Sequence, residues 1–215
     1  MISVIIPCLD KHVYLLPELF VAYENQTVRP DELIVVVSGD FNTSEISCLN
    51  TTIPLIVSVS KQRLYAGAAR QRGVDISNGE IIIFNDADDI PHRQRVEITH
   101  YFFNKFNTVH LNGLWKSGDF KFTYNIPRIP FILAEEIIER SILNYKPYGG
   151  WLAANVHAGN VAVSREVFDK VAWTNSQKGQ DMVFCLDLLH TFNRSIIVLA
   201  NLIRYRIELS SWGVV

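Results

Sequence analysis

Gly79-Glu-Ile-Ile-Ile-Phe-Asn-Asp-Ala-Asp-Asp89 is the stretch on which the fold turns. Asn78-Gly79 is a helix stop, the four apolar residues that follow Glu80 suit a buried strand, and the strand runs straight into three carboxylates within four residues. In open α/β sheets ligands gather at the carboxyl ends of strands, so clustered charge at this strand's end marks a site. Working outward, residues 2–7, 33–38 and 55–59 are β-branched runs of the same kind as residues 80–85. Between the first two, residues 13–23 set Leu15, Leu16, Leu19 and Phe20 on one helical stripe, with Pro17 near the first turn. A second helix is predicted over residues 64–77. This alternation predicts an α/β fold with a doubly wound, mostly parallel central sheet, flanking helices and a small antiparallel element.

After Pro91 the pattern loosens. An amphipathic helix is expected over residues 91–104, then loops and short, partly antiparallel strands over 107–130, where Gly113, Gly118, Pro127 and Pro130 act as breakers. A helix over 131–144, a turn over 147–150, and a strand over 159–164 leading into a short helix over 165–171 follow. Strong helical periodicity over 180–192 and one or two strands over 195–207 close the chain.

Composition narrows the function. At 215 residues with 48% apolar content the chain can bury one compact domain and is short for two. A formal charge of −2 gives no general attraction to nucleic acid, so any anion site is local. Apolar runs of about five residues are far below the roughly 20 that a spanning helix needs. Met1 to Pro7 has no basic region of a secretory signal, and the three cysteines, Cys8, Cys48 and Cys185, show no C-x-x-C spacing. A cytoplasmic protein with free thiols is expected, and the four Asn-x-Ser/Thr triplets are read as chance.

Three carboxylates at one strand end repel one another, and a hard divalent cation such as Mn²⁺ or Mg²⁺, shared with a diphosphate, relieves that repulsion. An N-capping turn would account for one Asp but not for three. Upstream, Lys61, Arg63, Arg70 and Arg72 fall within twelve residues, among the small residues Ala66, Gly67, Ala68, Ala69 and Gly73. Such a segment serves equally as a closely packed helix with a basic face or as a phosphate contact. Neither the dinucleotide fingerprint nor a P-loop is present, which argues against a dehydrogenase or a P-loop NTPase.

Taken in order, Ile2-Ser-Val-Ile-Ile-Pro-Cys-Leu-Asp10, Leu33-Ile-Val-Val-Val-Ser-Gly-Asp40, Ala66-Gly-Ala-Ala-Arg-Gln-Arg-Gly73 and residues 79–89 resemble the successive blocks of GT-A nucleotide-sugar glycosyltransferases, closest to the inverting family 2. Gly159-Asn-Val-Ala-Val-Ser-Arg-Glu-Val-Phe168 is similar to the donor-sugar strand and helix, and Gly179-Gln-Asp-Met-Val-Phe-Cys-Leu-Asp187 to the helix-opening Glu-Asp block. The resemblance implies a hexosyl- or deoxyhexosyltransferase using a UDP-linked sugar and Mn²⁺ or Mg²⁺. Residues 1–90 would form its nucleotide-binding half and residues 91–215 its acceptor-binding half, and the domain is compatible with being one part of a longer polypeptide. Asp86 and Asp88 take the place of the Asp-x-Asp pair, Asp88 on the metal and Asp86 on the ribose or the metal. Asp181 takes the place of the general base. Pro7, Ser38, Asp40, Arg63, Arg70, Asp86, Ala87, Asp89, Gly159 and Asn160 are implied to contact the donor, and Trp151 and Gln180 the acceptor. Trp115 and Tyr148 are candidates to join Trp151 in a sugar-stacking platform. The acceptor class is left as a glycan, a glycoprotein or a lipid-linked molecule, with no nucleic acid.

Three departures stand out. Val37-Ser-Gly-Asp40 replaces an Asp-Asp-Gly-Ser-like turn, so Ser38 or Asp40 substitutes in base recognition. Gln180 replaces a Glu, and Tyr205-Arg-Ile-Glu208 stands for Tyr-Arg-x-His, leaving Glu208 or His157 as the third metal ligand. The rival readings are a retaining transferase on the same fold, a sugar nucleotidyltransferase, which residues 8–11 disfavour because they lack glycine, and a non-catalytic sugar-nucleotide or glycan-binding module.

Overall fold

The computed structural model describes residues 1–133, 158–206 and 208–209. A nine-stranded sheet is formed by β1 (Ile2–Leu9), β2 (Glu32–Ser38), β3 (Leu55–Ser60), β4 (Ile81–Phe84), β5 (Ile90–Pro91), β6 (His110–Lys116), β7 (Phe131–Leu133), β8 (Val161–Ser164) and β9 (Ser195–Arg204). The order is β3-β2-β1-β4-β8-β6-β9-β5, with β7 also on β9. β1 to β4, β6 and β9 run one way and β5, β7 and β8 run against them, so the sheet is mostly parallel with antiparallel strands in its second half.

Helices cover both faces, which is why the central strands read as unbroken apolar runs. Alternate residues separate cleanly: Val4, Ile6, Val35 and Val37 pack under α1 (Leu16–Glu24) and α4 (Arg95–Phe106). Ile5, Ile34 and Val36 pack under α3 (Ala66–Ile76) and α5 (Gln180–Phe192). The small residues of α3 permit its close approach. A Cβ on Gly73 would lie 2.4 Å from Ile5 Cγ2, and one on Gly67 would lie 2.1 Å from the Thr174 carbonyl oxygen.

Several boundaries differ from the sequence expectation. β1 continues through Pro7 to Leu9, because Pro7 lies beyond the last β4 pairing, Ile5↔Phe84, and its missing N–H breaks no ladder there. The helix expected from residue 91 begins at Arg95, since Ile90 and Pro91 pair with β9 instead. Phe131–Leu133 is a strand on β9 rather than the start of a helix; the remainder of that expected helix, and the turn at 147–150, lie outside the described residues. α2 (Thr43–Ser47), capped by Asn42 on the Ser44 amide, was not anticipated. No described helix is long and apolar enough to cross a membrane.

Candidate active site

The acidic residues form a turn directly after β4, closed by the Asp89 N–H donating to the Asp86 carbonyl at 3.1 Å. Two buried arginines hold it from below. Arg70, on α3 with its side chain 2% exposed, pairs through Nη2 with the Asp86 carboxylate, and its guanidinium lies 4.9 Å from the Trp173 ring centroid. Arg95 donates to Asn85 Oδ1 at 2.5 Å, to the Phe84 carbonyl at 2.6 Å and to the Gly159 carbonyl at 2.9 Å. Asn85 in turn donates to the Asp86 and Asp89 carbonyls and accepts from the Tyr23 hydroxyl. Arg70 thus holds the turn directly, and Arg95 and Tyr23 hold it through Asn85, before any ligand arrives.

Crowding sets the electrostatics. Burial, then the Asp86 charge, pushes the Asp88 carboxyl up to about 6. Burial, then Asp86 and Asp88, raises Asp89 well above the carboxylate range. From the third side, β9 is followed by Arg206, whose Nε donates to the Asp88 carbonyl at 2.5 Å and whose amide donates to Asp89 Oδ1 at 3.3 Å; its Nη1 pairs with Glu18 at 2.6 Å. The turn is an oxygen-rich, charge-crowded edge suited to a hard cation that brings its own further ligands. Among the described residues no three His, Cys, Asp or Glu side chains converge as a complete protein cage, and Glu208 is exposed.

At the neighbouring strand ends, Asp10 accepts from the Lys11 amide at 2.8 Å and the Asp40 amide at 3.0 Å. It fills the turn at Gly39, where φ is +119° and a Cβ would lie 2.7 Å from Asp10 Cγ. Ser38 is buried at the end of β2, next to Leu9 and Ser60. Gly159 abuts the acidic turn, its Cβ position 3.1 Å from Asp86 Cγ, and Asn160 is buried with its amide on the Leu114 carbonyl at 3.0 Å. Ala87 is buried in the core.

Asp181 opens α5, half-exposed, with Oδ1 on the Met182 amide at 3.0 Å. Gln180 reaches across to accept from the Gly67 amide at 3.0 Å, which ties the first turn of α5 to the first turn of α3. One turn along α3 is Arg70, and both Arg70 and Asp181 act on the Cys185 thiol, whose pKa is raised above all by burial. Asp86, Arg70, Gln180 and Asp181 thus lie along one connected rim.

Not every predicted residue joins it. Of the basic segment only Arg70 meets the acidic turn. Arg72 instead bonds Ser58 Oγ and the Val59 carbonyl of β3, and Lys61 and Arg63 are exposed beyond that strand. Trp151 and His157 lie outside the described residues. Sequence reasoning missed Asp10, Arg95, Arg206 and His12. His12 is half-buried; burial and then Lys11 lower its pKa, against the pull of Asp86 and Asp10. The one available signal was Asn85, the polar residue that ends the apolar run before the acidic triplet.

The family model for glycosyl transferase family 2 matches residues 3–172. This chain belongs to glycosyl transferase family 2. Among curated proteins no sequence matches this family 2 chain. Solved structures do share its fold. The S. aureus TarS structure superposes with a TM-score of 0.70 at 15% identity, over 94% of this chain and 36% of TarS. TarS 1-349 in complex with UDP-GlcNAc gives 0.70 at 14% identity, over 95% of this chain and 58% of that one. Glucosyl-3-phosphoglycerate synthase from Mycobacterium tuberculosis, in complex with Mn²⁺, UDP and glucosyl-3-phosphoglycerate, gives 0.67 at 20% identity, over 96% and 72%. The family 2 domain described here thus spans about a third of the TarS chain and under two thirds of its 1-349 fragment, and shares with them the GT-A architecture.

Proposed function

We propose that this family 2 domain is a glycosyltransferase that moves a sugar from a UDP-linked donor to a hydroxyl acceptor with inversion at the anomeric carbon. The observation that carries the reading is the acidic turn pinned by Arg70 and Arg95 on the rim that also bears Asp181. The UDP and UDP-GlcNAc complexes of TarS and the Mn²⁺–UDP complex of the mycobacterial synthase support the donor class. Residues 1–90 serve the donor and residues 91–215 the acceptor.

In this mechanism Asp86 and Asp88 would hold Mn²⁺ or Mg²⁺. When bound, such a cation neutralises charge on the departing diphosphate. Arg70 holds Asp86 in place, with its Nε and Nη1 buried and without a hydrogen-bond partner among the described residues. Ser38, Gly39 and Asp40, with Asp10 beneath them, border the nucleoside. Asp181 takes the proton from the acceptor hydroxyl as its oxygen attacks the anomeric carbon on the face opposite the leaving UDP. Gln180, engaged by Gly67, sets the position of that base rather than offering its carbonyl to the acceptor.

The test is Asp181→Asn. Transfer is expected to fall about 10³-fold, the scale of a lost general base, while UDP with Mn²⁺ still raises the melting temperature as in the parent. Undiminished turnover would overturn the base assignment and favour a retaining route. A UDP shift that does not need Mn²⁺ would remove the metal from the mechanism.

A further inference from the structure

β3 lies at one end of the sheet and has β2 on its inner side alone. The strand at the opposite end, β5, is two residues long and leaves little edge to pair with. β3 has six residues, Leu-Ile-Val-Ser-Val-Ser, with no charge, no proline and no bulge, the devices that keep an open edge from pairing. Its ladder fixes which groups face outward. The Pro54 and Ser60 carbonyls accept from the Leu33 and Gly39 amides, so the even-numbered residues of this run serve β2. Leu55, Val57 and Val59 therefore turn their backbone groups away from it. Among the described residues only the Val59 carbonyl meets a donor there, Arg72 Nη2 at 3.0 Å, and a carbonyl has a second lone pair to give.

The side chains of the same three residues form one aliphatic stripe. Leu55 and Val57 are half-buried against the core, and Val59 is 43% exposed. A groove of about 560 Å³ runs along the start of the strand, lined by Leu49, Ile53, Leu55 and Val57. Beyond the strand the two ends carry opposite charge. Lys61 and Arg63 follow its carboxyl end, exposed and with no ion-pair partner among the described residues. Before its amino end, Glu24 Oε1 accepts from the Thr51 hydroxyl at 2.7 Å and the Thr52 amide at 2.6 Å, while Oε2 has no partner among the described residues.

We infer that β3 pairs antiparallel with β3 of a second copy of this chain, about a two-fold axis through Val57. Val57 then exchanges both backbone bonds with its counterpart, and Leu55 does so with Val59 of the second copy, so every outward group is used. The exposed Val59 of each copy enters the groove of the other beside Leu55. The axis also carries Lys61 and Arg63 of one copy toward the strand end where Glu24 of the other stands, and does so twice. A parallel pairing would set cation against cation. A strand from an unrelated protein would meet the same backbone, but this chain already holds the matching aliphatic stripe and the matching charges at the matching ends. Because β1, β2 and β4 run with β3, the acidic turns of the two copies face opposite ends of the joined sheet.

Sedimentation velocity of the full chain over a concentration series is expected to show a saturable equilibrium that stops at two copies, since each chain has one such edge. Val59→Lys places an ammonium in the groove and is expected to raise the dissociation constant about tenfold or more. Val57→Pro removes an N–H that the β2 ladder does not use, and is expected to abolish pairing. Circular dichroism checks that both variants fold. The surface change Lys61→Glu, which touches no packing, is expected to weaken the dimer about three- to tenfold through its two symmetric contacts. Hydrogen exchange reads the edge directly: the Leu55, Val57 and Val59 amides are expected to slow about tenfold or more on dimerisation. A chain that stays monomeric at every concentration, or a dimer equally tight in Val59→Lys and Lys61→Glu, overturns the pairing. So does growth past two copies, or a dimer in which those three amides exchange as fast as in the monomer.

Discussion

From residues 4–6 and 33–37, β1 and β2 bury aliphatic side chains and keep their polar residues for the ends, whereas β6 buries Asn112 within the strand and meets β9 through the buried pair His110 and Ser195 at their first residues. In the second region several of these polar groups bond one another, although Asn112 Oδ1 is buried without a hydrogen-bond partner among the described residues. Asn112 Nδ2 donates to His110 Nε2 at 3.0 Å, so the ring proton sits on Nδ1 and reaches Ser195 Oγ at 2.9 Å. One half of the sheet is thus held by non-directional burial, tolerant of detail inside and specific at its tips. The other half depends on matched donors and acceptors, where each loss leaves a buried orphan.

Arg95 spans that divide, and its loss is the sharpest way to break the comparison. Arg95→Met removes the charged donor from the Phe84 and Gly159 carbonyls and leaves Asn85 Oδ1 with the Tyr23 hydroxyl alone, in a dry interior, and is expected to destabilise folding by about 3–5 kcal/mol in urea titrations. UDP binding should weaken with it, because the acidic turn loses its anchor. Packing alone is probed by Gly73→Ala, which sets a methyl 2.4 Å from Ile5 Cγ2. Overpacking is expected to outweigh the gain in helix propensity and cost about 1–2 kcal/mol, with transfer kinetics per folded molecule unaltered.

A third test separates the two regions by pH. Burial pushes His110 down to about 3, so between that value and the ordinary 6.5 the unfolded chain binds a proton that the folded chain does not. Stability contributed by the neutral ring is therefore full above about pH 6.5 and falls by about 1.4 kcal/mol per pH unit below it. In β2, burial would raise Glu32, but the Asn78 amide and the Ser3 hydroxyl outweigh it and hold the carboxyl low. That group weakens the fold only below about pH 4.5, where the unfolded carboxyl takes up its proton. Because the raised Asp88 and Asp89 carboxyls contribute the opposite slope over the same range, the reading is the difference between parent and His110→Asn: the parent's advantage in urea midpoint should shrink as pH falls from 6.5 to 5, and a difference that does not change with pH would contradict the assignment.

The same contrast explains what could be read from the chain alone. The first four strands, α3, and α5 at Gln180–Phe192 were legible because apolar periodicity is a sufficient cause for them. Residues 107–130 read as loops and short, partly antiparallel strands, but the bounds of β6 were not legible because His-Leu-Asn-Gly-Leu-Trp-Lys carries polar residues at buried positions, and its partners Ser195 and Cys185 are more than 70 residues away. β5 and β7, two and three residues long, exist only through pairing with β9, a tertiary cause without a local trace. In the site, the acidic triplet announced itself, since no packed interior accommodates three bare carboxylates. Arg95 and Arg206 did not, because an arginine in a helix or after a strand reads as solvated surface until the fold buries it.

The Gln180–Gly67 bond has an evolutionary consequence. Position 67 admits no side chain, because the Thr174 carbonyl occupies the space a Cβ would need. Its amide then needs an oxygen delivered at the reach of a two-methylene side chain from position 180. Glutamine and glutamate meet that demand alike. The pair constrains shape and leaves charge free: a glutamate at position 180 would accept the same Gly67 N–H, whereas any side chain at position 67 would meet the Thr174 carbonyl.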